Sequence, residues 1–144
     1  MELMKKSLIY LPLLLICFQL VSCSDEENNP QADFVVLIDS KAYNSALSGN
    51  YVIQSIKIDR DFLTFKFSSS GCSGESWKVK LIDSGAVAES NPPQRYLILS
   101  LVNKEICKAV ITKELTFDIS ALRVDGKRVW LNFKNFEEGI LYEY

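Results

Sequence analysis

The sequence predicts an all-β domain, an antiparallel sandwich of seven to eight short strands, with a small closed β-barrel as the alternative. Three observations predict it. From Asp33 to Tyr144 apolar residues recur with period two, the spacing of half-buried strands. Turn-forming residues separate these runs at short intervals. No stretch of ten residues carries an amphipathic helical pattern. With 144 residues in all, the chain has room for one domain of ordinary size.

Taken in order, Phe34-Val35-Val36-Leu37-Ile38 is an apolar run that reads as a first strand, and Lys41 to Ala46 supplies at most one turn of helix. Tyr51 to Ile58 is the next strand. After the Asp59-Arg60-Asp61 turn, Phe62 to Phe67 places Leu63, Phe65 and Phe67 on one face. Ser68 to Gly74 reads as a Ser/Gly loop. Trp77 to Leu81 alternates again, and Asp83 to Gln94 reads as a long connection holding Gly85, Pro92 and Pro93. Tyr96 to Val102 is apolar on both faces except at Ser100, the mark of a central strand. Leu115 to Ile119 follows, then a brief helical turn at Ser120 to Leu122. Asp125-Gly126 is a hairpin signal because both positions favour positive φ. Arg128 to Phe133 turns Val129, Leu131 and Phe133 inward, and Gly139 opens the last strand. Among sandwiches an immunoglobulin-like arrangement is preferred. The Cys-Trp-Cys order of antibody domains is a poor match, however, since Trp77 follows Cys72 by only five residues.

The N-terminus reads as an address. Lys5 and Lys6 precede the apolar run Leu8 to Leu20, which is short for a membrane span and is interrupted by Pro12. Leu20-Val21-Ser22-Cys23 then resembles the lipobox of bacterial lipoproteins. The resemblance implies cleavage before Cys23 and acylation of that residue, so that 1–22 is a signal peptide. Two or three acyl chains anchor stably where one holds only marginally. Ser24-Asp25-Glu26-Glu27 resembles the surface-export signal of Bacteroidota lipoproteins. It implies an outer-membrane protein displayed on the cell surface, with residues 23–33 as a lipidated acidic tether and 34–144 as the β-sandwich domain. The layout as a whole is similar to small single-domain surface lipoproteins of that phylum. This likeness is specific over the first 27 residues and generic beyond them.

Four cysteines are present. Cys17 leaves with the leader and Cys23 is the lipidation site, so Cys72 and Cys107 remain as a pair in an exported chain. The expectation is a disulfide closing a loop of about 35 residues. A reactive thiol at Cys72 is the alternative, but no histidine is available to activate it.

Composition excludes several kinds of chemistry. With no histidine anywhere, Ser-His-Asp and Cys-His catalysis are ruled out, along with the commonest zinc ligand. Loss of Lys5, Lys6 and Glu2 with the leader leaves 14 basic and 17 acidic residues, a net charge of -3, which does not favour nucleic acid. Asp59 and Asp61 are turn aspartates, and Phe62-Leu63 stands where a calcium loop would need oxygen ligands. Glu137-Glu138 also reads as a turn. Gly71-Cys72-Ser73-Gly74 does not open a helix, as a phosphate-cradling loop must. No enzyme, no metal and no cofactor is expected.

Two surfaces remain as binding candidates. Trp130 shares the outer face of its strand with Arg128 and Asn132, where an indole beside polar donors could stack a sugar ring or anchor a protein. Asn91-Pro92-Pro93 stiffens the connection before Gln94, which lowers the ordering cost of binding. The expected function is a membrane-anchored, non-catalytic binding module for a glycan or protein. The alternative is an envelope inhibitor of a protease or lysozyme acting through the Pro-rich loop.

Overall fold

Five residues, Phe34 to Ile38, begin the fold by joining both of its sheets. The computed structural model describes residues 31–144; Cys23, the acidic Ser24 to Glu27 segment and the leader lie outside the described residues. The apolar run expected as one strand is two: β1 (Phe34–Val35) pairs in parallel with β7 (Ala109–Asp118), and β2 (Leu37–Ile38) pairs in parallel with β5 (Lys78–Ala88). Val36 between them turns into the interior. A short helix, α1 (Ser40–Ser45), follows. It is capped by Asp39, whose carboxylate accepts from Lys41 N and Ala42 N at 2.8 and 2.9 Å.

The remaining strands are β3 (Tyr51–Asp59), β4 (Phe62–Gly71), β5 (Lys78–Ala88), β6 (Gln94–Val102), β7 (Ala109–Asp118), β8 (Arg128–Phe133) and β9 (Phe136–Glu143), with a 3-10 turn at Ser120–Leu122. They form a four-stranded sheet, β1-β7-β4-β3, and a five-stranded sheet, β2-β5-β6-β8-β9. The sheets pack face to face and do not close into a barrel, so the domain is a β-sandwich. Both sheets are mixed. Four pairings are antiparallel, but β1–β7, β2–β5 and β6–β8 are parallel. The last arises because the chain leaves β6 for β7 in the opposite sheet and returns to β8 running in the same direction as β6.

The core lies between the sheets. Leu63, Phe65, Phe67 and Phe117 of the smaller sheet meet Leu97, Leu99, Leu101, Val129, Leu131, Phe133 and Tyr142 of the larger one. Phe65 stands edge-on to Phe117 and, across the layer, to Phe133, with centroids 6.0 and 5.4 Å apart. The outward side of β6 is covered as well. Ile98 and Ser100 are buried there, and the Ser100 hydroxyl and Leu101 N–H both donate to Leu47 O, each at 3.3 Å. That covering explains why β6 is apolar on both faces.

Three segments differ from the sequence expectation. Ser68 to Gly71 is strand, because β4 stays paired with β7 as far as Gly71 and Ala109. Asp83 to Ala88 is also strand. It passes through a bulge between Asp83 and Val87, where Gly85 has a φ of 79°, and the long connection shrinks to residues 89–93. Asp125-Gly126 is not a hairpin. Gly126 does take positive φ, at 104°, but the segment carries the chain between sheets, and β8 pairs with β6 and β9. The hairpin at Arg60-Asp61 forms as expected, with Arg60 at φ 53°.

Cys72 and Cys107 form the disulfide, with Cα atoms 4.9 Å apart and a sequence separation of 35. It ties the end of β4 to the approach to β7. Replacing both cysteines by alanine should lower unfolding stability by roughly 4 kcal/mol, because the unfolded chain regains the entropy of the opened loop. Urea unfolding of the variant against the oxidised domain measures this.

Candidate functional site

β8 sets the geometry of the candidate surface. Its alternation buries Val129, Leu131 and Phe133 and turns Arg128, Trp130 and Asn132 outward. Parallel pairing with β6 then places Gln94 beside Trp130 and Tyr96 beside Asn132. The backbone N–H of Trp130 donates to Pro93 O at 2.8 Å, which fastens the short Pro-rich loop against the strand. The two surfaces, apart in the sequence, therefore meet. Ser90, Asn91, Pro92, Gln94 and Trp130 line a shallow depression of about 290 Å³.

The polar groups around it are ordered by one another. Asn132 Nδ2 donates to Gln94 Oε1 at 3.1 Å, Gln94 Nε2 to Ser90 Oγ at 3.1 Å, and Ser90 Oγ to Pro92 O at 2.6 Å. This chain of hydrogen bonds holds amides and a hydroxyl in place before any ligand arrives. The indole has its own seat. A Cβ at Gly139 would collide with Trp130 Nε1 and lie 2.8 Å from Cε2, so the ring lies across the β9 backbone where only glycine leaves room.

Not every candidate joins this surface. Arg128 is exposed at the start of β8 opposite Glu143, away from the depression. Pro93 contributes its carbonyl. Two residues of the surface were missed in the sequence. Tyr96 is 41% exposed beside Asn132, and Leu141 is 36% exposed opposite Trp130. Tyr96 sat inside an apolar run, and only the parallel register shows what it faces.

Ionisable groups elsewhere pair with one another or with backbone amides. Asp83 and Arg95 form a buried pair at one end of the sandwich, with Arg95 Nε and Nη2 donating to Oδ2 and Oδ1 at 3.1 and 2.7 Å. Gly85 N–H adds a third bond to Asp83, which explains why this aspartate sits inside a strand. Asp61 accepts from the Tyr142 hydroxyl and from Arg123 Nη2, the latter at 2.7 Å. The tyrosine bond, with help from Arg123, keeps the Asp61 carboxyl below its ordinary value. Burial and the neighbouring Asp61 push Tyr142 up to about 12.

Glu105 closes the loop that carries Cys72. Its carboxylate accepts from the backbone of Cys72, Ser73 and Gly74 at 2.6, 3.2 and 3.0 Å, and from the Ser76 hydroxyl at 2.8 Å. Desolvation acts to raise its pKa, but these donors together hold it down at about 2. Among the described residues no three His, Cys, Asp or Glu side chains gather into a metal-binding group. No helix there is long and apolar enough to cross a membrane.

No protein-family model and no curated protein matches the chain. Solved structures share its fold. A NigD-like immunity protein from Bacteroides caccae superposes with a TM-score of 0.55 at 12% identity, over 75% of this chain and 58% of that one. A DUF1344 protein of unknown function from Bacteroides vulgatus superposes with a TM-score of 0.51 at 14% identity, over 77% of this chain and 55% of that one. The chain thus spans little more than half the length of either. At these identities the likeness is one of fold, and it is to β proteins of Bacteroides.

Two outcomes follow from the geometry. Gly139→Ala should displace the indole of Trp130, changing the near-ultraviolet circular dichroism and lowering Tm, while the buried Trp77 stays in place. Glu105 has a folded-state pKa near 2 against an ordinary 4.5. Its stabilisation is therefore present above pH 4.5 and is lost as pH falls toward 2. Glu105→Gln should lower Tm at neutral pH, and its gap from the wild type should close over that acidic window in a Tm-against-pH series.

Proposed function

We propose that this chain is an envelope lipoprotein, anchored through Cys23 to the outer membrane and displayed at the cell surface, that acts as a non-catalytic binding module. One observation carries the binding role: Trp130 and the Ser90–Gln94 segment converge on a single pre-ordered, uncharged depression on the outward face of the larger sheet. An indole beside fixed amides and a hydroxyl suits a glycan or a protein loop, where apolar contact and hydrogen bonding are needed together. The lipobox at Leu20 to Cys23 and the acidic Asp25-Glu26-Glu27 run support the location. The engagement of Asp61, Asp83 and Glu105 in structural contacts supports a role without catalysis.

The second reading is an envelope inhibitor of a protease or lysozyme. It draws support from the NigD-like immunity protein that shares the fold. Loop length weighs against it. The connection expected to project into an enzyme cleft is only residues 89–93, and its Pro93 carbonyl is bonded to Trp130. A flat contact surface fits this geometry better than an inserted loop.

Protease shaving of intact cells, with a lysed control, tests the location: loss of the domain from intact cells is expected, and protection until lysis would contradict surface display. Ligand screening of the purified protein with glycans and envelope proteins then tests the site. Trp130→Ala should weaken binding of a captured ligand by about 2 kcal/mol with its unfolding transition retained. Unchanged affinity would remove Trp130 from the site. Inhibition of a hydrolase that disappears when Ser90–Gln94 is replaced by a Gly/Ser linker would favour the second reading.

A further inference from the structure

The strap that opens the fold is apolar on the outside as well as at its centre. Phe34, Val35, Leu37 and Ile38 are 47, 69, 39 and 42% exposed. Beside them an apolar groove of about 350 Å³ opens between the edges of the two sheets, lined by Phe34, Val35, Leu37, Leu81 and Phe117, with Lys80 on its wall. Single exposed apolar side chains are ordinary, but a contiguous run of them marks a contact surface.

We propose that Phe34, Val35, Leu37 and Ile38 rest in the boundary between headgroups and acyl chains of the bilayer that holds the anchor, so that the domain sits on the membrane in a defined orientation. This rests on the reading of Cys23 as the lipidated residue. Chain length argues for lipid as the occupant. Asp33 is fixed to Thr116 by two hydrogen bonds of 2.8 Å, one from its own N–H and one to its carboxylate. Nine residues lie between it and Cys23. The chain between them can span at most about 35 Å. The strap is thus the first folded element above the bilayer and stays within reach of it.

Pairing with a second copy is disfavoured by the strands themselves. β1 and β2 are two residues each and are broken where Val36 turns inward, so they offer no continuous edge for another strand. Insertion of side chains remains, and Lys80 can lay its stem on the apolar groove while its ammonium stays among headgroups. The orientation has a consequence for the binding surface. Three strand spacings, about 14 Å, separate β2 from β8 across the larger sheet, which leaves Trp130 clear of the bilayer.

The test uses the full lipidated protein in phosphatidylethanolamine–phosphatidylglycerol vesicles that contain a phospholipid with a diazirine in its acyl chain. After illumination, adducts are mapped by mass spectrometry. They should concentrate on Phe34–Ile38 and fall several-fold in a Val35→Asp/Ile38→Asp variant whose circular dichroism matches the wild type. Val52 and Val110, also exposed and apolar at 66 and 77%, serve as internal references. Equal labelling of those residues and the strap, or labelling centred on Trp130, would overturn the orientation while leaving the anchor intact. If alkaline washing strips the wild type from membranes as readily as Cys23→Ser, the anchor reading fails and the strap proposal with it.

Discussion

The apolar layer between the two sheets is the constraint on which the rest of this domain depends. Leu63, Phe65, Phe67 and Phe117 can reach Leu97, Leu99, Leu131 and Phe133 only if each strand keeps its register. A slip of one residue would turn every one of these side chains outward. The polar interactions then secure the places where the layer ends. Asp83 and Arg95 close one margin with a buried pair, and the Asp61–Arg123–Tyr142 cluster ties the β3–β4 hairpin to β9. At the margin near Cys72, the disulfide and the Glu105 carboxylate hold the loop after β4.

The same constraint creates the outer surfaces. Because β8 must bury Val129, Leu131 and Phe133, Trp130 has to stand on the other side, and Gly139 gives it a seat. Because the chain crosses to the opposite sheet for β7, β8 returns parallel to β6, and the loop preceding Gln94 arrives beside the indole. An uncharged, hydrogen-bonded depression follows from backbone routing as much as from the side chains that line it. The N-terminal strap obeys similar logic: one inward residue, Val36, satisfies the core, and its neighbours are left at the edges of both sheets.

Sequence periodicity was most legible where strands have one buried and one solvated face. The β8 boundaries and the inward triplets of β4 and β8 followed from alternation alone. It was least legible where a polar residue is buried for a tertiary reason. Asp83 looks like a loop residue until Arg95 and the Gly85 amide are seen to satisfy it. Ser68 to Gly71 looks like a loop because its residues are small, but the ladder to β7 needs only their backbones. Glu105 carried no local signal, since its partners lie some thirty positions earlier in the chain.

By itself the sequence determined the all-β class, the absence of histidine chemistry, the pairing of Cys72 with Cys107 as an expectation, and the faces of the clearest strands. These depend on composition and on nearest neighbours along the chain. Tertiary structure decided the mixed sheets, the division of Phe34–Ile38 between them, and the meeting of Trp130 with Asn91 and Pro92. Those depend on which strands pair across long separations. Period-two patterning shows which side of a strand is buried but carries no information about the neighbour it will find.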